Sequence, residues 1–184
     1  MKKILCNKNI FFCSQIKRKR SQVKGIVIHY TGNKDDTAIA NANYFKNNNE
    51  RYAGAHFVIG VDGNIIKCGN LNDVCWSVGN DMREHKVPNS GKYYGDYGNS
   101  NTVSIELCDI VDNFPTTKQI NSTIKVIKYI RRHCKNAKLI MRHWDVNGKH
   151  CPATMCYLNN KEWKKFVSKL KIGLKSYKDF KYTK

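Results

Sequence analysis

The sequence has no apolar run near the roughly 20 residues that cross a bilayer, which excludes a helical membrane span. Acidic residues are scarce: 14 Asp and Glu stand against 33 Lys and Arg, a net charge of +19 over 184 residues. Such a field draws polyanions, whether nucleic acid, anionic membranes or anionic cell-wall polymers. The eight cysteines lack any paired CxxC spacing, so a structural zinc site of that kind is not supported. Export by a signal peptide is not expected either. The lysines at the start are followed by an apolar stretch that Asn7, Lys8 and Asn9 break, with no small-residue cleavage site. Without export, the cysteines read as reduced thiols, mostly small buried hydrophobes, with one or two left as ligand candidates. No internal repeat or linker is evident.

What is present suits one domain. Hydrophobic residues make up 41% and aromatics 11%, enough for a core at this length. The expected organisation is a basic N-terminal extension over 1–22, the domain proper over 23–172 and a lysine-rich tail over 173–184 left outside the core. Basic residues are spread along the chain, densest in "KRKR" at Lys17 to Arg20 and after Lys161. A solvated surface is the simplest reading of them.

"VKGIVIHYTG" reads as a buried β-strand ending near His29. "DDTAIANANYFKNNN" reads as a helix capped by Asp35 or Asp36, with Ile39, Ala42 and Phe45 on one face. "AGAHFVIGVDGNIIKCG" reads as a hairpin turning at Asp62-Gly63. "VCWSVGN" suggests another short strand, and residues 81–101 a long loop bordering a binding surface. "NTVSIELCDI" is strand-like. Residues 116–134 read as a helix with a Thr116/Gln119 capping box and an apolar stripe of Ile120, Ile124, Ile127 and Ile130 or Tyr129. "AKLIMRH" is a further strand, "MRHWDVNGKHCPA" the loop after it, and "NKEWKKFVSKL" an amphipathic helix with Trp163, Phe166, Val167 and Leu170 inward. Strands interleaved with helices give an α/β class: a mixed central β-sheet flanked by helices.

A catalytic zinc site needs three protein donors and an open position. His29 and His143, each ending a predicted strand, and Cys151 in the adjoining loop would supply two imidazoles and a thiolate. That is one donor short of a closed structural site, and His150 next to Cys151 is an alternative ligand.

"IVIHYTG", "AGAHFVIGVDG", "CWSVGN", "NTVSIELCD" and "RHWDVNGKHCPA" occur in the order and approximate spacing of zinc-dependent N-acetylmuramoyl-L-alanine amidases of the amidase-2 type. The chain resembles that family, whose fold is shared with peptidoglycan recognition proteins, from about Val23 to Leu170. The resemblance implies Zn2+ held by His29, His143 and Cys151, with Lys149 stabilising an oxyanion. Some family members place a tyrosine just before the histidine of the "HF" block; this sequence has Ala55 there. Others use a glutamate in the "IE" strand as base, and Glu106 occupies that place. Glu106 could otherwise be a buried partner for Lys149. His56 is expected to contact substrate or pack behind the site, and Trp76 to line the groove or the core. His85, His133 and the remaining cysteines match nothing; Cys68 with Cys75, or Cys156 near Cys151, would be the sites of any disulfide or second metal.

The activity implied is cleavage of the amide between N-acetylmuramic acid and L-alanine of the stem peptide. The protein then resembles a phage endolysin or prophage-derived autolysin. It would be a monomer, cytoplasmic until released to the cell wall, acting on bacterial peptidoglycan and drawn to anionic wall polymers, with no nucleic-acid partner. Two rivals remain: a non-catalytic recognition module on the same fold, and a charge-driven nucleic-acid binder. The latter leaves the His, His, Cys set unexplained.

Overall fold

A computed structural model of the chain describes residues 1–79 and 90–184. Seven strands form one sheet in the order β1-β4-β3-β5-β2-β6-β7. They are β1 (Lys2–Lys3), β2 (Gly25–Tyr30), β3 (Phe57–Ile59), β4 (Ile65–Lys67), β5 (Thr102–Leu107), β6 (Leu139–Arg142) and β7 (Lys181–Tyr182). All neighbours run parallel except the β3/β4 hairpin. The helices are α1 (Ala38–Lys46), α2 (Thr117–His133), α3 (His143–Asn147) and α4 (Lys161–Gly173). Among the described residues no helix is long and apolar enough to cross a membrane.

The centre of the sheet follows from its residue types. β2, "GIVIHY", is rich in β-branched residues, pairs along both edges and is buried through its first five residues, with both faces covered as in parallel sheets generally. Alternation then sorts the side chains. Ile26 and Ile28 join Val103, Ile105 and Leu107 of β5 in the main core, which the inward faces of α2 and α4 close. Val27 faces the other way and packs with Met141, Val78 and Val146. Gly25 permits that packing, because a Cβ there would lie 2.6 Å from Met141 Cε and 3.0 Å from the Tyr97 ring.

The hairpin turns at Asp62-Gly63 as expected. Gly63 has φ 83°, its N–H donates to Gly60 O at 2.8 Å, and Gly60 N–H donates to Asn64 O at 3.0 Å. α2 carries the expected capping box: Thr116 Oγ1 accepts from Gln119 N–H at 3.1 Å and Gln119 Oε1 accepts from Thr116 N–H at 3.0 Å.

Five expectations need correction. α1 is capped by Thr37, whose hydroxyl accepts from Ala40 N–H at 3.2 Å. Asp35 sits at φ 55°, and Asp36 accepts from the Asn41 side chain at 2.6 Å. The later start leaves Ala38, Ala42 and Phe45 inward and turns Ile39 out to 45% exposure. "VCWSVGN" forms no strand over its described residues. "KRKR" is not all solvated, since Arg18 is buried. The "HWDVN" segment is a short helix rather than a loop. Finally, the tail is not outside the core: Leu174, Phe180 and Thr183 are buried, and β7 pairs with β6. Of the long loop over 81–101, residues 81–89 lie outside the described residues; the described remainder docks on α3, with Gly91 and Tyr93 N–H donating to Trp144 and Asp145 carbonyls, both at 2.9 Å.

Candidate metal centre

β2 and β5 pair in a register that sets His29 directly beside Glu106. Both project from the face opposite the α2/α4 core, by the same alternation that buries Ile28 and Ile105 on the other side. β6 delivers the next residue needed. His143 is the first residue of α3, directly after the strand. Cys151 returns to the same place, its carbonyl accepting from Trp144 N–H at 3.0 Å and its N–H donating to Lys149 O at 2.7 Å.

The donor atoms of His29, His143 and Cys151 all lie within 4.8 Å of one another, and all three residues are buried. Cys151 Sγ is 3.7 Å from His29 Nδ1, which in turn lies 4.0 Å from Glu106 Oε1. The two imidazole rings meet edge to face at 4.8 Å. His143 Nε2–H donates to Val78 O at 2.7 Å, which fixes the tautomer and leaves Nδ1 with its lone pair. The buried His29 Nε2 has no hydrogen-bond partner.

Burial dominates the electrostatics. It holds His29 well below the usual imidazole range, with His143 and Lys149 adding to the effect. It brings His143 to about 3, again with help from Lys149. Both rings are therefore neutral at pH 7, the form that binds metals. Burial also pushes the Glu106 carboxyl up to about 8, opposed by Lys149 and Arg51 and reinforced by Asp36. With both partners neutral, the His29–Glu106 approach is not an ion pair. The Cys151 thiol is raised by burial and by Glu106, so a thiolate there needs a cation beside it.

This donor set fits zinc. Two imidazoles and one sulfur are borderline ligands of the type zinc takes, and ligands on a tetrahedral zinc lie roughly 3.5 Å apart. The 3.7 Å between Sγ and Nδ1 matches that spacing. Three protein donors leave one position open. No other such His, Cys and carboxylate group occurs among the described residues.

The remaining candidates divide. Lys149 is exposed, yet its charge reaches His29, His143, Glu106 and Cys151. His150 lies outside the donor group; its ring packs on Trp144 at 4.9 Å and Tyr157 at 4.3 Å. His56 is fully buried, with Arg18 Nη2 at 2.9 Å, Ser104 Oγ at 3.1 Å and Asp73 O at 3.1 Å, an interior position rather than a substrate surface. Trp76 is half-buried, edge-on to Phe11 at 5.2 Å, and lines a groove of about 570 Å3 with Phe11, Phe12 and Tyr52. His133 donates to Tyr129 O at 2.8 Å on α2, and His85 lies outside the described residues. All eight cysteines are free and buried; Cys13 lies 3.7 Å from Cys75 and also meets Cys6.

Sequence reasoning missed what supports the ligands. The Arg142 guanidinium grips Asp145 with two bonds, Nε to Oδ2 at 3.0 Å and Nη2 to Oδ1 at 2.7 Å, and reaches Met155 O at 2.7 Å. Asp145 also accepts from Arg142 N–H at 2.8 Å, closing the first turn of α3. The signal was an Asp three residues after Arg142, a capping pattern on a helix too short to show a period.

A family model described as N-acetylmuramoyl-L-alanine amidase, Amidase_2, matches residues 19–154. The chain belongs to this family. The amidase also shares its fold with solved structures at low sequence identity. PlyL is 21% identical with a TM-score of 0.66, over 92% of this chain and 96% of PlyL. The amidase LysC from Clostridium intestinale URNW is 21% identical with a TM-score of 0.59, over 92% and 97% of the two chains. Drosophila peptidoglycan recognition protein SD is 14% identical with a TM-score of 0.53, over 80% and 87%. These likenesses bear out the expected mixed α/β fold shared by amidases and recognition proteins. No curated protein matches the sequence.

Proposed function

We propose that this amidase is a zinc-dependent peptidoglycan hydrolase, which cleaves the bond between the lactyl carbonyl of N-acetylmuramic acid and the nitrogen of L-alanine. One observation carries the reading: His29, His143 and Cys151 converge beside the acid that strand register sets next to His29.

His29 Nδ1, His143 Nδ1 and Cys151 Sγ would hold the ion. Zinc supplies Lewis acidity, drawing electron density from a scissile carbonyl and making water a better acid. Glu106 handles the proton. Burial moves its carboxyl to about 8; as the carboxylate, the form that a cation beside it favours, it can take a proton from water and return it to the departing alanine nitrogen, the match of acidity to working pH that general acid–base catalysis favours. Lys149, exposed but acting on every group in the cluster, offers positive charge to the carbonyl oxygen as it becomes negative. Asn147 shares the Val78 carbonyl with His143, at 2.9 Å, and so steadies the imidazole.

The test is mass spectrometry of purified Gram-positive peptidoglycan after incubation, with and without a zinc chelator. Peptide-free glycan and stem peptides beginning with L-alanine should appear without chelator and vanish with it. Intact wall with the protein still bound would instead make the chain a recognition module.

A further inference from the structure

Once the helices are placed, the basic charge has a side. Residues 115–184 hold 18 of the 33 Lys and Arg but 3 of the 14 acidic residues; two of the 18 lie off that side, Arg142 buried against Asp145 and Lys149 at the metal centre. α2 carries five basic residues and no acid, and α4 five lysines with Glu162 alone. Little of this is neutralised within the layer: Glu162 pairs with Lys165 at 3.3 Å, and Asp179 pairs with Arg131 and with Lys138 at 3.2 Å. Both helices bury their apolar faces in the core under Ile28 and Ile105. Their charged faces therefore point away from His29 and Glu106.

We infer that this helical back is a docking surface for a linear phosphodiester polyanion without aromatic bases, of the alditol-phosphate kind that bacterial walls carry. The inference rests on the peptidoglycan reading, because such a polymer is threaded through that substrate. Docked there, the enzyme keeps its opposite face toward the glycan.

The surface chemistry selects this occupant. Lysine is a compact point charge that suits phosphate without demanding fixed geometry. Binding a single-stranded nucleic acid calls for exposed rings on which bases stack. On α2 and α4 the exposed large apolar side chain among the described residues is Ile172, and the rings at the rim are covered, Phe114 by Lys165 at 4.1 Å and Tyr182 by Lys171 at 5.3 Å. Lying in a membrane interface calls for a free apolar face, which both helices have spent on the core.

The experiment compares the zinc-loaded full chain with K125Q/R132Q/K164Q/K169Q, which neutralises four exposed positions on this layer, and with K8Q/K24Q/K34Q/K46Q, which neutralises four exposed positions elsewhere. Binding to inorganic polyphosphate is titrated between 50 and 200 mM salt, retention is measured on wall fragments with and without their phosphodiester polymers, and hydrolysis is followed on a soluble muropeptide. The back-face variant should lose at least tenfold in polyphosphate affinity, with the slope of log affinity against log salt falling by about 4. The control variant should stay within threefold of the parent. Wall fragments should retain the parent in proportion to their polymer, while muropeptide hydrolysis is the same in all three proteins. Equal losses in the two variants, equal retention on stripped walls, or tighter binding to duplex DNA or anionic vesicles of matched charge would overturn the proposal. A parent that docks but does not hydrolyse muropeptide would instead overturn the catalytic reading alone.

Discussion

The Thr183 hydroxyl donates to Asp145 Oδ2 at 2.6 Å, fastening the C-terminal strand to the helix that starts with His143. Thr183 is itself held, N–H to Ile140 O at 3.1 Å and carbonyl to Trp163 Nε1 at 2.9 Å. A residue of the lysine-rich tail thus reaches the acid that orients α3. Thr183→Val should cost about 1–3 kcal/mol in chemical denaturation, since a buried carboxylate loses a donor. It should also weaken zinc binding roughly 10- to 100-fold in chelator competition, the usual effect of losing an outer support. Thr183→Ser should restore both, and unchanged zinc affinity in the valine variant would uncouple the tail from the metal centre.

Glu106→Gln keeps the side chain's size and removes its proton chemistry. Turnover should fall roughly 10^2- to 10^4-fold, with zinc content by elemental analysis equal to the parent's. A glutamine variant that still hydrolyses peptidoglycan takes Glu106 out of the mechanism.

Cys151→Ala removes a donor at the point where Sγ meets His29 Nδ1. The variant should emerge from dialysis without metal. Cys151→Asp, which keeps an anionic donor of a kind zinc also takes, should retain it. Metal bound at parental affinity by the alanine variant would point to a different ligand set.

Acid should destabilise the metal-free protein through its buried histidines. His56 is held at about 3 by burial and by Arg18, against an ordinary value near 6.5. Between those two pH values the unfolded chain binds a proton that the native chain refuses. The stability tied to His56 is therefore complete above about pH 6.5 and is lost as pH falls toward 3, at about 1.4 kcal/mol per pH unit. Urea melts at pH 7 and pH 5 should show the drop, and His56→Gln should shrink it by about 2 kcal/mol. A variant with the parent's pH slope would remove His56 as a source.

Long periodic segments were legible in the sequence. β2 announced itself by its β-branched run, and α2 by its Ile stripe and its Thr116/Gln119 box. His29, His143 and Cys151 stood out as donors at and beside strand ends; the family pattern chose Cys151 over His150 and brought in Glu106, since His143 to Cys151 matches no simple ligand spacing. What escaped depends on contacts distant in sequence. α3 spans five residues, too few for a period to appear. Arg18 reads as one more surface charge until His56 and the Thr102 carbonyl, at 2.6 Å, come into view. The tail looks polar because Leu174 and Phe180 are diluted by lysines, although those two residues are what anchor it.

The three donors come from parts of the chain more than a hundred residues apart, His29 on one side and His143 with Cys151 on the other. No local fragment can assemble them, so a bound ion would select the closed sheet over every open state. Each tenfold rise in free zinc above its dissociation constant would then add about 1.4 kcal/mol to the folding equilibrium. Scavenging the metal should make the chain easier to unfold, and easier for proteases to clear, well before any change in its peptide bonds.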